Sequence, residues 1–341
     1  MIEFGSDFHY IHDLPSLPGA GFSDDARYRY FANGRQSIQS LIMHAHWRRI
    51  WIPAYYCYDV ISSISGVQIV FYDDHPLRTD DDMLISNLPF RDGDVLLRIN
   101  YFGMRGLRTN KHVPVPVIED HTHDLMSAWA KGSDAMWCMA SVRKTLPVAA
   151  GGVLWSPINA SLPEQPAMTR ECEMVTSLRY EAMKLKTGYL CKGGDKGVYR
   201  EKLMSSEALL GSMKISGMDL HTRQIVGSMD VAGWTRCRTD NWRSAVEHIS
   251  SNFNVIQPEC ITKSNPFSIV MCLHDNPERD AFRRYLIDHC VYPAILWQLP
   301  SDSPFAEAVD FSERMLSVHC DSRYSTQDIE KICGIINSFY D

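Results

Sequence analysis

Between residues 34 and 157 short apolar runs alternate with amphipathic stretches, the pattern of a mainly parallel sheet covered by helices. Six runs predict strands, over 49–52, 67–72, 94–100, 115–119, 135–142 and 152–156. Between them, residues 36–47 set Ile38, Leu41, Ile42 and Ala45 at helical spacing, and 58–65 and 124–130 follow the same period. Residues 164–227 have no strand pattern and are rich in Met, Leu, Glu and Lys. They predict helices broken at the turn Lys192-Gly193-Gly194-Asp195-Lys196-Gly197. That turn lacks the full Gly-x-x-x-x-Gly-Lys-Ser/Thr spacing of a phosphate loop and reads as a solvated turn.

Beyond about residue 231 the pattern changes. A helix over 242–253, a strand over 267–273, a helix over 278–289, a strand over 291–297 and a last helix over 326–340 predict a compact α+β lobe. A chain of 341 residues exceeds what one core usually serves. The expected division is a large domain of residues 1–235 and a small carboxyl-terminal domain of residues 236–341. No internal repeat is visible.

Composition narrows the class. The hydrophobic fraction of 45% and charged fraction of 22% are those of an ordinary globular chain. A net charge of -7 and a pI near 6.0 offer no broad basic field, so neither nucleic acid nor an anionic membrane is an expected partner. The first 17 residues are acidic and aromatic, unlike a secretory signal, and no run reaches the ~18 apolar residues of a membrane span. The ten cysteines are scattered, without a Cys-x-x-Cys pair, which predicts reduced thiols in a cytoplasmic protein.

Three places carry candidate chemistry. The apolar strand 115–118 ends in Glu119-Asp120 and then His121-Thr122-His123-Asp124. Parallel sheets present reactive groups beyond their carboxyl ends, so Asp120 falls where a ligand would sit, or else the cluster caps the next helix. A second strand ends in Ser141-Val142-Arg143-Lys144, followed by Gly151-Gly152. A lysine in so tight an apolar setting loses solvation and becomes a usable amine nucleophile; the alternative is an exposed lysine. Asn33-Gly34-Arg35-Gln36-Ser37 opens the helix over 36–47, and a helix amino terminus binds phosphate through its unpaired N–H groups, although the same residues also serve as a plain cap.

Their order is more specific than any one of them. A phosphate helix, an aromatic segment, strand-Asp, strand-Ser-x-x-Lys and glycines together resemble fold-type I pyridoxal-phosphate enzymes, most closely the DegT/DnrJ-type sugar aminotransferases. The resemblance extends to Pro53-Ala54-Tyr55-Tyr56-Cys57, to Gly66 leading to Val70-Phe71-Tyr72-Asp73, to Asn100-Tyr101-Phe102-Gly103 and to Ser312-Glu313-Arg314-Met315-Leu316-Ser317. It implies an α/β fold with a large domain around a mainly parallel central sheet and a smaller carboxyl-terminal α+β domain.

It also implies roles. Lys144 would carry pyridoxal 5'-phosphate as a Schiff base and move protons, and Asp120 would pair with the pyridine nitrogen. Gly34, Arg35 and Gln36, with the Ser141 hydroxyl, would hold the phosphate. Tyr55 would stack on the ring, with Tyr56 as the neighbouring alternative, and His123 would face the ring substituents. Arg143 would recognise a carboxylate or phosphate of the substrate, or serve as a structural ion-pair partner. Lys214, Arg238 and Asn241 are candidates to approach a neighbouring subunit's site. The implied activity moves an amino group from an amino acid, glutamate in first place, to a keto group on a nucleotide-linked sugar or a small biosynthetic intermediate, in a homodimer. The chain departs from the family in its short Ser-x-x-Lys spacing and in Ala149-Ala150 where an acidic residue commonly precedes the glycines.

Two other classes remain open at this point. A metal-dependent hydrolase would use His121-x-His123 with Asp120 and Asp124 as ligands, although no further histidine has a spacing that completes the set. A regulator would bind the cofactor without turnover, against which the intact Lys144 argues. Sugar dehydratases resembling this family replace the lysine by histidine, and position 144 is lysine.

Overall fold

The structure, a computed structural model, describes residues 3–17, 22 and 27–341, so positions 1 and 2 of the amino-terminal stretch lie outside the described residues. In chain order the strands are β1 (Phe4–Gly5), β2 (Tyr28–Phe31), β3 (Arg49–Pro53), β4 (Gln68–Tyr72), β5 (Asp94–Ile99), β6 (Val117–Asp120), β7 (Trp137–Ser141), β8 (Gly152–Trp155), β9 (Ile269–Cys272), β10 (Val291–Tyr292) and β11 (Met315–Val318). The helices are α1 (Gly34–Ala45), α2 (Tyr58–Ile61), α3 (Asp81–Ser86), α4 (Ala128–Gly132), α5 (Arg170–Lys192), α6 (Gly197–Ser212), α7 (Leu220–Ser228), α8 (Val231–His248), α9 (Asn276–Asp288), α10 (Ala306–Arg314) and α11 (Thr326–Asn337).

Seven strands form one sheet in the order β2-β8-β7-β6-β5-β3-β4. The five from β7 to β4 are parallel, while β8 runs antiparallel to β7 and β2 antiparallel to β8. Strands β5 and β6 are buried at every position, so Val95, Leu96 and Leu97, and Val117 and Ile118, stand as unbroken apolar runs and not as alternating ones. One apolar core runs from Ile38 and Leu97 at this sheet to Phe311 and Ile332 in the carboxyl-terminal lobe.

This topology brings four chain segments to one edge. Strands β6 and β7 are neighbours, so Asp120 and Ser141 leave the sheet side by side. Gly152, at the start of β8, pairs with Ser141 and also with Phe31, the last residue of β2. Asn33 and the amino terminus of α1 follow Phe31 directly, so the helix start lands on the carboxyl edge of the parallel strands.

Several expected elements take a different shape. The strand expected over 291–297 ends at Tyr292, because Pro293 has no N–H for a ladder. The helix expected from 242 starts at Val231, where the Asp230 side chain accepts from Gly233 N. A domain boundary at 235/236 therefore falls inside α8, and the amino-terminal strand β1 pairs with β10 of the other lobe. The helix expected over 124–130 starts later, at Ala128, because Ser127 caps it through Ala130 N, and 58–65 contributes only the short α2. Strands β1, β2 and β11 and helices α3 and α10 had no counterpart in the hydrophobic pattern.

Candidate active site

Asp120 and Lys144 line one cavity of about 110 Å³, together with Gly34, Arg35, Tyr56, His123, Ser141 and Arg143. Asp120 is buried at the end of β6. Its Oδ1 accepts from Thr122 N at 2.9 Å and its Oδ2 accepts from the Tyr56 hydroxyl at 2.6 Å. Burial pushes the carboxyl above its ordinary range, and the bonds from Thr122 and Tyr56 oppose this without cancelling it. A cationic partner in the cavity would restore the charged form.

Lys144 closes the 3-10 turn Val142–Lys144 that follows β7. It is exposed because it borders the open space of two cavities. The adjacent Arg143 guanidinium, and after it the loss of solvation, pull the amine down to about 8. A neutral amine is therefore accessible near neutral pH, which a nucleophile at carbonyl carbon requires.

The start of α1 faces this pair. Asn33 Oδ1 accepts from Gln36 N at 3.0 Å, and Asn33 Nδ2 donates to Leu210 O at 2.9 Å, so the cap is held in place from both sides. Gly34 packs so closely on β7 that a Cβ there would sit 3.0 Å from Ser141 Cβ. Thr122 joins the two strand ends, accepting from Ser141 N through Oγ1 at 2.9 Å while its own N–H serves Asp120. The cavity thus has a helix amino terminus, Ser141, a buried carboxylate and a lysine in its walls. These groups fit the phosphate, pyridine nitrogen and aldehyde of pyridoxal phosphate.

His123 lines the cavity within an aromatic cluster. Phe102, Phe267 and Trp297 lie at 5.5, 4.5 and 5.5 Å, all near parallel to it. Its Nδ1 accepts from Phe102 N at 3.3 Å. Burial first, and then the charge of Lys144, hold its pKa down to about 3, so the ring is neutral and Nε2 carries the proton.

Other expected site residues fall elsewhere. Tyr55 is buried among Tyr101, Phe102 and Phe311 and donates its hydroxyl to Leu296 O, so it does not border the cavity. Past β3 the chain bends at residues 54–56, with Tyr55 N bonded to Asp74 O, and it is Tyr56 that lines the cavity. Gln36 also turns away: its side chain donates to Lys214 O and accepts from Ser216 N, and its N–H is consumed by the Asn33 cap. Arg143 pairs with Glu207 at 2.6 Å. Arg238 is buried with Nη2 donating to His123 O at 3.5 Å, Asn241 is buried on the carbonyls of Asp321 and Tyr324, and Lys214 is exposed.

The metal-ligand set proposed from sequence does not converge. His121 faces away from the cavity, with Nδ1 3.0 Å from Asp124 and Nε2 3.1 Å from Glu119, while Asp120 and His123 face into it. Burial acts to discharge the ring, but Asp124 above all raises its pKa well above the ordinary value. Each ring nitrogen thus lies within hydrogen-bond distance of a carboxylate. Glu119, His121 and Cys138 do approach within 4.8 Å of one another, as parts of this buried hydrogen-bond network. Thr122, Phe267, Trp297 and Glu207 were not anticipated from the sequence; the last three come from distant segments that local pattern cannot bring to the site.

The sheet order and the helix start at its edge are the fold that solved fold-type I pyridoxal-phosphate enzymes share. Solved structures agree over nearly the whole chain. The candidate sugar aminotransferase Spr1654 of Streptococcus pneumoniae, in its PLP form, is 12% identical, with 98% of each chain covered and a TM-score of 0.66. PseC of Helicobacter pylori, an aminotransferase involved in the biosynthesis of pseudoaminic acid, is 14% identical over 98% of each chain, with a TM-score of 0.59. A DegT DnrJ EryC1 StrS aminotransferase of Brucella abortus is 14% identical over 92% of this chain and 85% of its own, with a TM-score of 0.56. No family model and no curated protein matches the sequence.

Proposed function

We propose that the protein is a pyridoxal 5'-phosphate-dependent aminotransferase that moves an amino group from an amino acid, glutamate in first place, to a keto group of a nucleotide-linked sugar or a small biosynthetic intermediate. The observation that carries this reading is the shared cavity of Asp120 and Lys144 beneath the start of α1. The solved structures of like fold described as sugar aminotransferases support the choice of acceptor.

The cofactor, when bound, supplies an electron sink for charge developed at the substrate carbon. Lys144, with its lowered pKa, is the group to anchor it and to give and take the proton at that carbon. Asp120 is the counter-charge for a protonated pyridine nitrogen, held in orientation by Thr122 N and the Tyr56 hydroxyl. The N–H groups at Gly34 and Arg35 and the Ser141 hydroxyl would hold its phosphate. Tyr56, His123, Phe267 and Trp297 line the cavity and would shield a bound cofactor from water.

We place the enzyme in the cytoplasm as a homodimer. None of its ten cysteines is paired, which suits a reducing compartment, and no helix of the described residues is long and apolar enough to cross a membrane. Incubating the purified protein with glutamate tests the reading: an absorbance band near that of pyridoxal should give way to the amine form with release of 2-oxoglutarate. A stable band that glutamate leaves unchanged would instead describe a cofactor-binding regulator.

A further inference from the structure

Arg238, on α8, is 1% exposed, and its Nε has no partner among the described residues. The acids whose charge reaches it are engaged elsewhere. Asp321 holds Arg323 with two bonds of 2.7 Å, and Asp124 lies 3.0 Å from the His121 ring and accepts from the Ser127 hydroxyl at 2.6 Å. Burial pulls the guanidinium below its ordinary pKa, but that value starts so high that the group stays charged. A buried cation without a counter-ion is costly, and an apolar side chain of similar volume would fill the space at lower cost.

Two contacts of this guanidinium lead to the active site. Nη2 donates to His123 O at 3.5 Å, and the guanidinium carbon lies 5.7 Å from the centre of the Phe267 ring. Phe267 is stacked on the His123 imidazole, 4.5 Å between centres, and both rings line the cavity of Asp120 and Lys144. Charge surrounds that imidazole unevenly. Lys144 from the cavity and Arg238 from α8 oppose a second proton on it, and Asp124 favours one. Asp120, in the same cavity, is held by Tyr56 and Thr122, and the stacked rings of Phe102, Phe267 and Trp297 are uncharged.

We propose that Arg238 is a positioning residue for His123: the guanidinium clamps the His123 carbonyl and the Phe267 ring stacked on the imidazole, and its fixed charge bars a second proton from that ring. The role in turnover rests on the aminotransferase reading, which it deepens. A second base of changing state beside Lys144 would compete for the substrate proton. With Nδ1 accepting from Phe102 N, His123 presents Nε2–H as a donor whose state is constant while Lys144, at about 8, exchanges its proton.

Nitrogen NMR of histidine-labelled protein as purified reads the charge and tautomer of His123 without turnover, its signal being the one lost in His123→Asn. Wild type should show a neutral ring protonated at Nε2 well below the ordinary pKa of 6.5. Arg238→Met should make the ring roughly tenfold easier to protonate, the scale of one charge removed from the protein interior, and Arg238→Lys should recover most of the difference. Turnover with glutamate in Arg238→Met should fall toward acid pH with KM little changed. A merely structural arginine predicts a lower melting temperature with the His123 titration unmoved. That result, a wild-type ring that charges at its ordinary value, or an Arg238→Lys ring shifted as far as that of Arg238→Met overturns the proposal. If Arg238→Met does not fold, Arg238→Gln, which keeps a donor for the His123 carbonyl, makes the same comparison. Failure of the underlying reading is separately visible as a protein that takes up no pyridoxal chromophore while His123 titrates as stated.

Discussion

Tyr56 donates its hydroxyl to Oδ2 of Asp120 at 2.6 Å, a bond between the segment after β3 and the end of β6 across 64 positions of sequence. It occupies one oxygen of the carboxylate whose other oxygen is held by Thr122 N. Removing it should free Asp120 to rotate and let burial push its pKa further up. Tyr56→Phe should weaken pyridoxal phosphate binding roughly tenfold, the scale of one hydrogen bond to a charged group, with little change in melting temperature. Absorbance titration of cofactor into the variant measures this, and wild-type affinity would remove Tyr56 from the positioning of Asp120.

The Lys144 amine sets a pH dependence. In the folded chain its pKa is lowered to about 8 from an ordinary 10.5. The unfolded chain therefore holds more protons between those two values, and stability rises with pH across that window. Below about 8 the folded protein bears the full penalty of holding this charge beside Arg143. Lys144→Met should accordingly raise the melting temperature of cofactor-free protein at pH 7, with the gain fading above pH 10. In the wild type, the rate of cofactor attachment should climb with pH and level off above about 8.

His121 has the opposite sign. Its pKa is raised above 6.5 by Asp124 and Glu119, so its contribution is complete below the unfolded value and disappears as pH climbs through the folded one. His121→Ala leaves two carboxylates facing a void in the protein interior and should cost about 3–5 kcal/mol in urea unfolding. If the loss is under about 1 kcal/mol, the network around Glu119 does not bear the charge assigned to it.

Gly152 should tolerate no side chain. A Cβ there would lie 2.3 Å from Asn33 O and 2.8 Å from Gly34 N, both backbone atoms that no rotamer change can move. Gly152→Ala should push the start of α1 off the sheet, costing roughly 1–3 kcal/mol of stability and most of the phosphate affinity. Calorimetric melting, with and without inorganic phosphate, reports both effects.

The parts legible in the sequence were those governed by local pattern. The buried strands β5 to β8 stand out as apolar runs, and the order helix start, Asp120, Lys144 and glycines survives in the fold because adjacent parallel strands deliver their ends to one edge. Tyr56 lines the cavity and Tyr55 packs in the core, a difference set by the bend at 54–56 that no apolar pattern reveals for two adjacent tyrosines. The Gln36 N–H serves the Asn33 cap, a bond that the sequence does not distinguish from a free donor at a helix start. Glu207, Phe267 and Trp297 reach the cavity from α6 and the second lobe, contacts that depend on tertiary packing alone.

The most direct test is chemical trapping. Protein saturated with pyridoxal phosphate, reduced with borohydride and digested should carry a phosphopyridoxyl mass on the peptide containing Lys144, and Lys144→Met should carry none. Label spread over other lysines, or none on position 144, would contradict the assignment of this cavity.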